Sequence, residues 1–546
     1  MSADGNATAL EFEPAAPAYA ERVWDAIERA LERIGDRLNP ILVKETRQAL
    51  KSKQFLITFG LLLILGWGWS ILGIIQAGPG AAFGAFGWQL FFGYYIILAF
   101  PLLIVVPFGA FRSLAIEQET RTFELLSITA LGTRQIILGK LGSAALQMMV
   151  YLSAIAPCLG FTYLLRGIDM PSIAFVVFWL TLASLGFSMI GLLLATVATK
   201  KQFQVLPMLF AAIGCCAGFM TSIPLTGEFV ERAGPQLIAD RDFWPVNGVI
   251  LTAYLGYFVL LCEAAAARLS FASDNRSTRL RIIMVLHQFL FTAWMTLAWR
   301  ENHGHNIEIC AAFLTMAGIQ WYLLGALMVG ESPILFSRVK RQLPKSFLGR
   351  VFLTWFFPGP GKGYMLTMTG LVCSLLSACI GVAVAKILGW NGGGGRMNFI
   401  DHVLPFALLG IGYIATFLGL GMLIIRFIRR FAVVGLAFSV LLQILLLLIG
   451  CIGPLIIGWI VPDLQYSHSY SILQITNPFW SLLEVVEGHV NLDLPIMISL
   501  VSFAAAAVFA INLPGLVREI GAVRVYRPKR VIDEDVETKG IKAAEE

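Results

Sequence analysis

The chain has 546 residues, 58% of them hydrophobic and 14% charged, and a mean hydropathy of +0.77. Soluble domains carry about 25% charged residues, so this composition excludes them and describes a polytopic membrane protein. A net charge of +6 is accounted for by membrane-facing and partner-facing loops and implies no nucleic acid.

Residues 1 to 18 are rich in Ala, Pro and Glu and are expected to be a disordered tail. From Glu21 to Leu38 the apolar positions Trp24, Ile27, Leu31, Ile34 and Leu38 recur in steps of three and four, among Arg22, Asp25, Arg29, Glu32, Arg33 and Asp36. That spacing predicts an amphipathic helix, lying on the bilayer surface or against a soluble protein. Asn39-Pro40 ends it, and the basic stretch Ile41 to Lys53 leads to the first span, so residues 19 to 54 form an interfacial cytoplasmic region. No cleavable signal is visible ahead of the apolar run that begins near Phe55.

A spanning helix takes about 20 apolar residues, and twelve segments qualify: roughly 55 to 77, 88 to 111, 142 to 165, 172 to 198, 203 to 225, 243 to 267, 282 to 299, 308 to 330, 364 to 389, 401 to 425, 431 to 461 and 493 to 513. With the amino terminus inside, the inner loops carry 19 Lys and Arg and the outer loops five. Basic residues stay on the cytoplasmic side, so both ends are expected in the cytoplasm, in a multi-pass protein of the cell's inner (cytoplasmic) membrane. All eight cysteines fall in expected spans, where small apolar fillers are used, and no zinc spacing is present.

Loop lengths alternate in the same order across spans one to six and seven to twelve, which implies two six-span halves, 55 to 270 and 271 to 513. A gap-free pairing of Ser188 to Phe210 with Thr416 to Phe438 matches Gly191 with Gly419, Lys201 with Arg429 and Phe203 with Phe431. Asn477-Pro478 starts a short outer helix before the last span, since Asn can cap free amides and Pro suits the first turn. The tail from 514 to 546 is basic through Arg530 and then acidic. The expected fold is therefore an all-α integral membrane protein, with cytoplasmic helices between spans and an amphipathic helix ahead of them.

One inner loop, 112 to 141, is charged and helix-prone. Glu117, Glu119 and Glu124 precede a turn at Ala130-Leu131-Gly132, after which Thr133 is placed to cap a second short helix ending at Lys140. Carboxylates at the front and a lysine at the back suit the helix dipoles. Here the chain resembles the permease subunits of ATP-binding-cassette exporters of the type-2 class, over about residues 40 to 270. Their pattern after the second span is matched by Glu117, Glu119, Thr122, Glu124, Leu125, Leu126, Ile136 and Lys140; Arg121 stands where the family often has Gly, and Ala130-Leu131 where it often has Pro. The resemblance implies a coupling element, with Phe123 and Arg134 also in it, that docks on a separate cytoplasmic ATPase subunit. ATP and Mg would then be bound by that partner and no cofactor by this chain. No phosphate-binding G-x-x-x-x-G-K-[ST] sequence occurs; Gly359-Pro-Gly361-Lys362-Gly363 has the wrong spacing and reads as a turn before the ninth span.

The corresponding second-half loop, Glu331 to Tyr364, lacks the acidic pattern and is strongly basic. Either the chain is a fused pseudo-dimer with one degenerate coupling site, or two chains pair as a homodimer. Glu263, His287 and Lys386 are the ionisable groups placed within spans, where charge is costly. Export of a lipid, glycan, peptide or drug-like molecule is the leading expectation. A membrane-embedded transferase is disfavoured because no cluster of Asp, Glu, His or Ser gathers in one inner loop or at one depth. A secondary transporter would place several polar groups near the midplane.

Overall fold

The computed structural model describes residues 39–78, 86–123, 131–197, 201–271, 273–301, 308–344, 346–387, 399–432, 434–460, 472–487, 494–521, 534 and 537. The tail expected over 1 to 18, the amphipathic helix expected over 21 to 38, Glu124 with Leu125 and Leu126, and the turn residue Ala130 lie outside them. Among the described residues the chain is all-α, with twelve helices long and apolar enough to cross a membrane.

It divides into two compact units, Met1–Trp244 and Pro245–Glu546. In the first, a short helix α1 (Pro40–Leu50) precedes the spans α2 (Lys53–Ala77), α3 (Gly87–Glu119), α4 (Thr133–Leu164), α5 (Met170–Ala195) and α6 (Lys201–Glu228). In the second lie α7 (Phe243–Leu269, whose first turn belongs to the first unit), α8 (Thr278–Glu301), α9 (Glu308–Val329), the short α10 (Ser337–Arg341) and α11 (Phe347–Leu353), then α12 (Pro360–Ile387), α13 (Leu404–Ile428), α14 (Leu436–Ile460), the short α15 (Pro478–Glu487) and α16 (Leu494–Gly521).

Local chemistry sets the helix starts. Ser52 accepts the amide of Phe55 at 3.1 Å to open α2, and Asp169 accepts that of Ser172 at 3.2 Å to open α5. Asn39 accepts the amide of Ile41 at 3.1 Å and has Pro40 as the first residue of α1. Prolines sit inside spans that continue through them. At Pro101 the missing N–H is absorbed by a π turn, Pro101–Val105, inside a continuous α3, and the hydroxyl of Ser184 donates to the carbonyl of Leu102 in that turn. Pro207 and Pro454 sit inside α6 and α14, which continue through them.

Each unit is built around its second expected span. In the first unit α3 packs on α2, α4, α5 and α6; in the second α9 packs on α8, α12, α13 and α14. In span order these are one neighbour pattern written twice, and the contacts of third with fourth, fourth with fifth and first with third spans recur as well. The last span, α16, lies along α13 and α12. Where α3 and α9 run they are lined by fully buried side chains, Phe91, Tyr94, Leu98 and Leu102 on one, Trp321, Ala326 and Val329 on the other.

Candidate functional site

The helix that enters the charged loop ends at Glu119, and its last two turns have distinct faces. Ala110, Phe111, Leu114 and Glu117 are buried, whereas Arg112, Ile116 and Glu119 are exposed. Thr120 and Thr122 close the helix: the Thr120 amide donates to the Ile116 carbonyl at 2.9 Å, and the Thr122 hydroxyl donates to the carbonyl of Glu117 at 3.3 Å. Between them Arg121 adopts φ +56°, the left-handed geometry of a helix terminus that Gly fills without strain. Thr122 and Arg134 are exposed and Phe123 is half-buried.

Two of the expected docking residues face the other way. Lys140 is buried, and its ammonium donates to Glu45 at 3.1 Å and pairs with Glu117 at 3.0 Å, with the Ser113 carbonyl at 3.4 Å. Lys44 reaches the second oxygen of Glu117 at 3.6 Å. Glu117 and Lys140 are thus an internal brace tying α3, α4 and α1 together, and their charges are not presented to solvent. The sequence carried the signal: Glu117 continues the stripe of Ala110, Phe111 and Leu114 at three- and four-residue steps.

The expected break after Lys140 is also absent. Thr133 to Leu164 is one helix, so the loop's second arm and the third span form a single rod. No proline separates Lys140 from the apolar run and the helix continues through Gly142 and Ser143, while Gly132 takes the capping position, its amide donating to the Gln135 side chain at 3.0 Å. Glycine lets α1 lie close on this rod. A Cβ at Gly139 would come 2.9 Å from Ile41, and one at Gly142 would come 2.9 Å from Leu42.

The second unit holds a larger buried ionic cluster at the matching place in span order. Arg281, 1% exposed, pairs with Glu331 at 2.6 Å and donates to the carbonyls of Trp355 at 2.7 Å, Phe357 at 2.8 Å and Gly359 at 3.1 Å. Glu331 also accepts the amide of Gly359 at 2.7 Å, and Arg429 donates to the carbonyls of Gly330 and Glu331 at 2.7 Å each. Glu519, near the end of α16, accepts the Gly361 amide at 2.9 Å and the Lys362 amide at 3.4 Å, capping the first turn of α12. Gly359 has φ +144°, and a Cβ there would stand 1.9 Å from the Glu519 carboxylate. The turn expected before the ninth span is therefore real at Gly359, but Gly361 to Gly363 belong to the helix.

Glu331 lies two residues past the end of α9 and Glu117 in the last turn of α3, while the fully buried Lys362 lies in the first turn of α12 and the buried Lys140 two turns into α4. Both inner loops thus have an acid and a buried lysine at their base, the acid buried at Glu117 and half-buried at Glu331, although the second loop has no acidic motif.

Within the spans, Lys386 is exposed at the end of α12 and Glu263 is half-buried. His287 is buried between Tyr257, edge-on at 4.2 Å, and Phe291, stacked at 4.7 Å. Its two ring nitrogens make no hydrogen bond among the described residues, and the polar residues beside it pair with one another. Tyr257 donates to Gln320 at 3.2 Å and Trp321 donates to Gln288 at 3.0 Å, at mid-length of α7, α8 and α9. These single polar residues sit inside apolar runs, and only their convergence from three helices makes them a group.

The site therefore consists of an exposed helix end (Glu119, Thr122, Arg134) on an internally braced base. No protein-family model, no characterised protein and no solved structure matches the chain.

Proposed function

We propose that this chain is the membrane permease subunit of an ATP-binding-cassette exporter. It would move a substrate outward across the cytoplasmic membrane, driven by a separate cytoplasmic ATPase subunit that binds ATP and Mg. The observation that carries the reading is the division of labour in the charged loop. Glu117 and Lys140 are consumed in a buried brace between three helices, while Glu119, Thr122 and Arg134 remain exposed at the tip.

A docking element must be rigid at its base and accessible at its end to turn the movement of a partner into a tilt of spans. The single rod from Thr133 to Leu164 supplies the lever, and α1 stiffens it. The basic bias of the inner loops supports a cytoplasmic location for this loop and for both termini. The twofold neighbour pattern within the chain favours two functional halves in one chain over a homodimer. Glu119→Arg with Glu124→Arg should abolish co-purification of an ATPase with the detergent-solubilised chain. An association that survives the double reversal, or none with the wild type, refutes the coupling role.

A secondary transporter is the runner-up, favoured by the polar group of Tyr257, His287, Gln288 and Gln320 at mid-span. Substrate movement in proteoliposomes that needs an ion gradient and no ATP would select it.

A further inference from the structure

The segment between α9 and α12 is more than a link between spans. It has a small core of its own, in which Leu335, Val339, Leu343 and Phe357 pack together and are buried. Outside that core, apolar side chains point away from the protein in a region that is not a span. Leu348 and Phe352, one helical turn apart on α11, are 67% and 68% exposed, and Leu353, Ile334 and Phe336 are exposed as well. Residues 332 to 357 carry five basic residues, Arg338, Lys340, Arg341, Lys345 and Arg350, and no acidic residue.

Position fixes what can meet this surface. α11 ends at Leu353 and α12 begins its membrane crossing at Pro360, so α11 lies within a few residues of the bilayer boundary. Trp355, half-buried between them, is of a residue type that settles at headgroup level. The Arg281 guanidinium holds the Trp355, Phe357 and Gly359 carbonyls, so the segment is clamped at the span end and cannot swing far from it.

We propose that residues 332 to 357 form an anionic-phospholipid anchor. α11 lies in the membrane plane with Leu348 and Phe352 among the acyl chains, and Arg338 and Lys340 meet lipid phosphates. Charge selects the occupant: an acid-free, basic surface with an apolar stripe at the bilayer edge complements an anionic leaflet. Arg338 already pairs with Asp274 at 2.6 Å, yet its side chain stays 66% exposed. The assignment rests on the inward sidedness proposed above and not on the ATPase.

The test is hydrogen exchange of the full chain in nanodiscs, where both faces meet the same lipid and sidedness drops out. In discs containing phosphatidylglycerol, amides of 347 to 356 should exchange several-fold more slowly than in pure phosphatidylcholine. High salt, or the combined variant R338Q/K340Q/R341Q/K345Q/R350Q, should remove the difference, while amides of the 335 to 343 core stay as protected as in wild type. L348S/F352S should remove it without changing charge. Equal exchange in the two lipids, slowing that the glutamine variant retains, or slowing that appears only when a soluble protein is added would each overturn the anchor.

Discussion

Arg121 holds a conformation that its own side chain disfavours. A left-handed residue other than Gly costs about 1–2 kcal/mol, part of which Gly gives back in the unfolded chain, so Arg121→Gly should raise stability by up to about 1 kcal/mol. A higher melting temperature in detergent checks this. Lys140 is the opposite case, because its charge is matched by Glu45 and Glu117 and removal would leave two carboxylates buried together. Lys140→Met should cost about 3–5 kcal/mol, and adding Glu45→Gln and Glu117→Gln should recover most of it. Thermal unfolding of the three variants side by side measures both statements. Sequence displayed these charges but not their direction. Glu117 and Glu119 are two residues apart, so they point to opposite sides of one helix, and only the former lies on the buried stripe. Glu45 likewise follows buried Ile41 by one helical turn, but its partner Lys140 lies 95 residues away, so the pairing itself was not legible.

Among elements, capped starts were the most legible. Asn477 accepts the amides of Phe479 at 3.1 Å and Trp480 at 3.2 Å, as its position before Pro478 implied. Asn477→Ala should weaken α15 by about 1 kcal/mol and speed amide exchange over 478 to 487, leaving α13 unchanged. The helix from Thr133 was harder to read, because the polarity of its first two turns resembles a separate element while its backbone carries no stop signal. Polarity reports solvent and lipid exposure, whereas helix ends are set by caps, and the two need not coincide. The anchor segment was hidden for a related reason. Its exposed Leu348 and Phe352 cannot be told from core positions by hydropathy alone, and its core comes from residues up to 22 positions apart, Leu335 to Phe357.

For the whole molecule, span number came directly from composition, since about 20 apolar residues are needed to cross and twelve such helices are present among the described residues. An even number returns the chain to its starting side. Epitope tags placed at residues 2 and 546 should therefore respond alike to protease added to sealed vesicles, and opposite responses would remove one span from the count. The twofold arrangement was legible only in outline, through loop lengths, because neighbour choice depends on side-chain shape along apolar runs whose composition is nearly uniform. The buried ionic cluster of the second unit has a consequence for biosynthesis. The carboxylate that caps the ninth span belongs to Glu519, 158 residues further along than the amide it accepts. At about 5–20 residues per second, the ribosome delivers that cap roughly 8 to 30 s after the span it completes. Throughout that interval the first turn of α12 must wait with open amides beside a buried lysine, so a nascent chain stalled before its last span carries its own mark of incompleteness.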